Sequence, residues 1–272
     1  MNKIEIEEIV RKEIVQSVLK NQDFLVVGNW KMNKTKREVN EFLDEISKAD
    51  LGTKNTIVII PPSPYLYLFE SKLRYTRVFY GVQNFYPKEN GAFTGEISIT
   101  MARDFGSKYA IIGHSERRNI FNECNDFSAK KVLSSIKNQM KPILCIGESL
   151  IQREKEDYKS FLKTQIKEGL SLLDESLRSK VIVAYEPIWA IGTGVTATPS
   201  QVEEVHMFLR NYLIDEYGFE TGRKIPLLYG GSVTAENVKE LALAQSVSGF
   251  LIGGASLSAK TLTQINDILN GK

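Results

Sequence analysis

Glu186 is the only charged side chain between Lys180 and Glu203, and it ends the apolar run Val181-Ile182-Val183-Ala184-Tyr185 just before Pro187. An unpaired carboxylate at the end of a buried strand is costly, and it tends to change its pKa. In a dry pocket such a group can take a proton from carbon near neutral pH. Four other stretches could act with it. Gly28-Asn29-Trp30-Lys31-Met32-Asn33 offers an amide and an ammonium, and Gly113-His114-Ser115-Glu116-Arg117-Arg118 an imidazole with a carboxylate two residues on. The pairs Gly230-Gly231 (before Ser232) and Gly253-Gly254 could present backbone N–H groups to a phosphate. Taken singly, each has a plain reading: a solvated lysine, a polar helix start, two turns. His206 falls inside a helical pattern and is read as a core residue.

What gives these residues force is where the secondary structure puts them. Short apolar runs alternate with longer amphipathic stretches from Phe24 onward. Strands are predicted at Phe24–Gly28, Thr56–Ile60, Val78–Gln83, Tyr109–Gly113, Pro142–Ile146, Val181–Tyr185, Ile225–Tyr229 and Gly249–Ile252. Helices are predicted at 35–49, 65–73, 97–105, 126–140, 155–173, 200–217, 234–244 and 259–269, with another start at Ser115-Glu116. The strand runs are nearly all apolar, which marks strands covered on both faces, as in parallel sheets. Eight strand–helix units in roughly 250 residues is the count for a (β/α)8 barrel. An open doubly wound sheet is the alternative, but no GxGxxG follows the first strand. Barrels of this class work at the C-terminal ends of their strands. Asn29, Lys31, His114, Glu186, Ser232, Gly253 and Gly254 all fall there, on one rim.

Composition narrows the function classes. The chain has 272 residues, 42% hydrophobic and 25% charged, with a net charge of +2. That balance gives no electrostatic case for nucleic acid or a membrane surface. No apolar stretch approaches the roughly 20 residues of a membrane span. Cys124 and Cys145 form no CxxC pair, which suits a reducing cytoplasm and argues against a zinc site.

GNWKMN, GHSERR, AYEPIWAIGTG, YGGSV and IGGASL, in this order and spacing, resemble the triosephosphate isomerase family from about Phe24 to the C-terminus. The resemblance implies interconversion of an α-hydroxy ketone and an α-hydroxy aldehyde through an enediolate, with no metal or organic cofactor. It implies Glu186 as base and His114 as a neutral hydrogen-bond donor, its pKa lowered by a helix N-terminus. Lys31 and Asn29 would stabilise the oxyanion, and Glu116 would orient the lysine. It implies phosphate binding by the N–H groups of Gly192, Ser232, Gly253 and Gly254, under a lid that hinges at Pro187-Ile188-Trp189. The loop 83–96 resembles the family's dimer loop, whose threonine, Thr94, reaches a partner's site; a homodimer is therefore expected. Two positions depart from the family pattern: Val195 replaces a lysine at the lid's second hinge, and Ile99 a proline after GEIS.

The same site could instead isomerise a four-carbon ketose phosphate. Further alternatives are a Schiff-base aldolase on Lys31 and a barrel that only binds phosphorylated ligands. The chain divides into a helical extension, 1–22, and a barrel, 23–272. In residues 1–20, Ile6, Val10, Ile14 and Val18 recur every four positions among four acidic and four basic residues. That pattern is an amphipathic helix seeking a groove, on this barrel, on a docking partner or in a further oligomer contact. It also loosely resembles the tags of bacterial microcompartment enzymes, an alternative to a cytoplasmic location.

Overall fold

The computed structural model describes residues 21–155, 157–190 and 197–272. Eight parallel strands close on themselves in chain order: β1 Leu25–Asn29, β2 Thr56–Ile60, β3 Val78–Val82, β4 Tyr109–Ile112, β5 Lys141–Ile146, β6 Ile182–Tyr185, β7 Leu227–Tyr229 and β8 Gly249–Ile252. Closure is made where β1 pairs with β8 from Leu25↔Gly249 to Gly28↔Ile252. The predicted strands match these within two residues at either end. Inside the barrel lies a core of Val27, Val58, Ile60, Ile111, Ile143, Ala184, Leu228 and their neighbours. A larger apolar layer, anchored by Trp30, Phe42, Phe69, Tyr185 and Tyr229, joins the strands to the surrounding helices. Alternate strand residues face these two layers, so both faces are apolar and the sequence shows runs rather than alternation.

The helices begin where side chains can satisfy their first N–H groups. Thr35 and Thr198 each form a capping box, with Glu38 and Gln201, for the helices Lys36–Ile46 and Pro199–Tyr217. Ser98 caps Ile99–Asp104, where Ile99 takes the first helical position and is fully buried. Of the helix expected over 155–173, Tyr158–Gly169 forms, and a separate helix, Leu150–Lys155, precedes it. Asp157 makes the second start by accepting from Ser160 N at 3.2 Å. The stretch 234–244 is helical only over Val238–Leu241, because Asn237 Oδ1 accepts from Thr234 N at 2.9 Å and holds a turn first. The proposed extension, residues 1–20, lies outside the described residues.

Closure of the barrel is braced from outside by Asn266, fully buried in the last helix, Ala259–Leu269. Its Nδ2 donates to Leu51 O at 2.9 Å and its Oδ1 accepts from Asn55 Nδ2 at 3.0 Å. Asn55 Oδ1 in turn accepts from Phe24 N, just before β1. Asn266→Leu takes the partner from the half-buried Asn55 amide and leaves Leu51 O only Asn270 Nδ2 at 3.4 Å, which costs about 1–3 kcal/mol of unfolding free energy. Urea titration should show that loss with kcat unchanged; a loss under about 0.5 kcal/mol would deny the brace.

Candidate active site

The C-terminal mouth of the barrel holds a cavity of about 540 Å³, lined by Asn29, Lys31, His114, Glu186, Ser232, Gly253 and Gly254, with Leu251 at its floor. Glu186 leaves β6 with 2% of its surface exposed. Its N–H donates to Ile146 O at 2.7 Å. Its carboxylate is taken up by β4: Oε2 accepts from Ser115 N at 3.0 Å, and Oε1 lies 2.9 Å from His114 Nε2. Two glycines let it stand there. A Cβ on Gly147 would fall 1.8 Å from Glu186 O, and one on Gly230 would fall 3.0 Å from Glu186 Cγ.

His114 is the cap of the helix Ser115–Phe121, and its Nδ1 accepts from Glu116 N at 3.2 Å. The bond leaves the ring proton on Nε2, facing Glu186 and the cavity. Burial pushes the Glu186 carboxyl up, but the His114 ring, the Ser115 N–H and Lys31 outweigh it and hold the group below the usual carboxylate range. For His114, burial pushes down while the Glu186 charge and hydrogen bond pull up, and the net direction is up. The expected lowering by the helix N-terminus is thus reversed while the ring faces an ionised carboxylate. A proton on Nδ1 would break the bond from Glu116 N, so the neutral ring donates from Nε2.

Lys31 has a left-handed backbone, φ 52°, rare for a side chain of this kind. Asn29 Oδ1 accepts its N–H at 3.0 Å and Gln83 Nε2 donates to its carbonyl at 2.8 Å, so it is held from both sides. Its ammonium meets Glu116 Oε1 at 2.7 Å. Beside it on the same cavity, the N–H groups of Ser232, Gly253 and Gly254 donate to no acceptor among the described residues. Gly254 has nothing within 4 Å of where a Cβ would stand, so this wall is open. Gly192 and Val195 lie outside the described residues. Thr94 is exposed and does not line the cavity of its own chain.

A second buried carboxylate, missed in the sequence, supports the segment after Glu186. Glu148 has no exposed surface; its Oε1 accepts from Tyr185 OH at 2.9 Å and Trp189 Nε1 at 3.0 Å, with Arg153 Nη1 at 3.3 Å. Burial pushes its carboxyl up despite the Trp189 and Tyr185 bonds. A signal for it exists: Glu148 is the only charge between Lys141 and Arg153, also just beyond an apolar strand. His206, by contrast, is fully buried between the Tyr185 and Tyr229 rings, and burial pushes it down to about 4. It is a neutral core residue.

The model of the triosephosphate isomerase family matches residues 24–269. A curated triosephosphate isomerase from Finegoldia magna is 41% identical over 242 residues, covering 89% of this chain and 96% of that protein. One from Chlamydia muridarum is 43% identical over 244 residues, covering 89% and 90%. One from Caldanaerobacter subterraneus subsp. tengcongensis is 40% identical over 241 residues, covering 89% and 97%.

The His114–Glu186 contact sets a titration that can be measured on the free protein. Nitrogen NMR should find the proton of the neutral His114 ring on Nε2, and Glu186→Gln should lower its pKa. A proton on Nδ1, or an unmoved pKa in the variant, would contradict the arrangement.

Proposed function

The chain belongs to the triosephosphate isomerase family and interconverts dihydroxyacetone phosphate and D-glyceraldehyde 3-phosphate, and we propose that Glu186, His114, Lys31 and Asn29 carry the reaction. The observation that supports this most is the 2.9 Å contact of His114 Nε2 with Glu186 Oε1 on the wall of a cavity that Lys31 also lines. Base, neutral donor and cation thus converge on a space large enough for a phosphorylated triose.

The phosphate lies on the free N–H groups of Ser232, Gly253 and Gly254, joined by Gly192, with Lys31 balancing its charge. The substrate's two oxygens enter between Glu186 and His114, so Nε2–H passes from the carboxylate to an oxygen. Glu186 then takes the proton from the hydroxyl-bearing carbon, and the electron pair forms the enediolate. His114 and Lys31 stabilise the charge on its oxygens, assisted by Asn29. The hydroxyl proton passes from one oxygen to the other by way of His114 Nε2, and the same carboxyl returns the carbon-bound proton to the neighbouring carbon, so no atom is gained or lost. Glu116, 2.7 Å from the Lys31 ammonium, keeps that group aimed. A lysine held as an ion pair is a poor amine nucleophile, which disfavours a Schiff base. Glu148 anchors the lid's first hinge, since Trp189 Nε1 and Ile188 N both donate to it.

The loop 83–96 is a dimer contact in this reading, with Thr94 entering the partner's site. Support comes from Thr94, exposed on its own chain, and from Met32, 95% exposed beside Lys31. Leaving so large an apolar side chain in water suits a covered surface.

Glu186→Gln should lose about three or more orders of magnitude in kcat while binding of the phosphate changes little, because the carboxylate acts in the transition state. A loss below about tenfold would remove it as the base. Thr94→Arg should shift the protein to monomers in sedimentation and lower kcat more than about tenfold. Full activity as a monomer would end the dimer reading.

A further inference from the structure

Arg118 sits one helical turn beyond His114, in GHSERR, and no step above uses it. It makes no salt bridge among the described residues. Its guanidinium donates to neutral acceptors: Nε to Gly113 O at 2.7 Å, Nη2 to Cys145 O at 3.2 Å, and Nη1 to Asn125 Oδ1. Those two carbonyls belong to the ends of different strands. Gly113 directly precedes His114, and Cys145 is the last interior residue of β5, next to Ile146, which accepts the Glu186 N–H. Burial, and then the Glu186 charge, push the Cys145 thiol well up.

The surroundings are shaped to admit the guanidinium. Gly113 has φ +66°, and a Cβ there would lie 2.6 Å from Arg118 Nη2. Asn125 Nδ2 passes the chain of bonds to Glu168 Oε2 at 2.8 Å on the helix Tyr158–Gly169. One turn back on that helix, Gln165 Oε1 accepts from Gly147 N at 2.9 Å, and Gly147 packs against Glu186 O. A cation held without an ion pair costs stability. Here it ties together the two strand ends that carry the reacting pair.

We propose that Arg118 is a positioning residue: by bridging Gly113 O and Cys145 O it fixes the spacing of His114 and Glu186. Its charge also favours the ionised carboxylate. The inference rests on the roles given to Glu186 and His114 above. Glu186 is faced by His114 and the Ser115 N–H from β4, by Lys31 from β1 and by Cys145 from β5, with Arg118 behind. Arg118 is itself influenced by Cys145, Glu186, Glu123 and Cys124.

The guanidinium also lines an outer cleft of about 540 Å³, with Asn125, Gly147, Gln165 and Glu168. That cleft gives a small cation a way in and makes the test specific. In Arg118→Ala, kcat should fall about thirtyfold or more while KM stays within about threefold. The acid limb of the kcat/KM profile should move to higher pH, because the carboxylate loses a nearby positive charge. Millimolar guanidinium should restore part of kcat, and methylammonium less, since only a planar fork spans both carbonyls. Arg118→Lys should return the acid limb while recovering only part of kcat; it serves alone if the alanine variant does not fold. A kcat within about threefold of the parent, or a loss with an unmoved acid limb and no guanidinium rescue, overturns the proposal. Failure of Glu186→Gln to lose activity would instead overturn the reading of the site.

Discussion

A carboxylate with almost no exposed surface has to be kept ionised, and much of the molecule answers to that requirement. Burial alone would protonate Glu186. What prevents it comes from two other strand ends: the imidazole and one N–H beyond β4, and the Lys31 ammonium beyond β1, itself balanced by Glu116. None of these is local to Glu186 in sequence; the closest, Ser115, is 71 residues away. A closed parallel barrel is one of the few ways to bring so many chain segments to one charge, since every strand ends on the same rim.

The contact also limits what may surround it. Gly147 and Gly230 cannot carry a Cβ without striking or crowding Glu186, so two of the neighbouring strand ends are glycine by steric need. Lys31 is held in a left-handed backbone by Asn29 and Gln83. Strain of this kind survives only where surrounding bonds over-determine it. Here the result is an ammonium pointed at the cavity instead of out into water. The neighbouring wall beyond β8 is built the other way, with open space where a Cβ on Gly254 would stand and only Lys31 Cε, at 3.8 Å, near one on Gly253. One side of the site is crowded to aim side chains; the other is emptied to expose backbone.

The barrel is legible in the sequence because its strands are buried on both faces. Uninterrupted apolar runs as short as Thr56–Ile60 and Gly249–Ile252, repeated eight times, suit few arrangements besides a covered parallel sheet. The reacting residues are legible because a charge at the end of such a run is anomalous. The same anomaly marks Glu148, yet Glu148 sits in no motif that suggests chemistry, and its partners Tyr185 and Trp189 lie 37 and 41 residues away. Helix limits are hidden where a single side chain decides them: Asp157 delays the start of one helix and Asn237 shortens another. For the pKa of His114 the sequence points the wrong way. The helix terminus is local and visible, whereas the carboxylate whose charge and hydrogen bond outweigh burial arrives from another strand.

The opposing influences on Glu186 show how the free site can hold a weak base and the occupied site a strong one. In the free site the depressing groups are His114, the Ser115 N–H and Lys31, and the first and last are the two that the proposed mechanism assigns to substrate oxygens and phosphate. In that mechanism substrate takes the Nε2–H and shares the ammonium, so those two contributions leave the carboxylate. Burial, the largest single influence and the one that raises its pKa, is then opposed by the Ser115 N–H alone among these. Lid closure can only add to it, because excluding water withdraws the solvent that would stabilise the charge. A carboxylate ready and ionised before binding becomes more basic as a carbon-bound proton comes within reach. In the proposed mechanism the 2.9 Å contact is a resting state: it holds the ionised form until a substrate oxygen competes for the same imidazole proton.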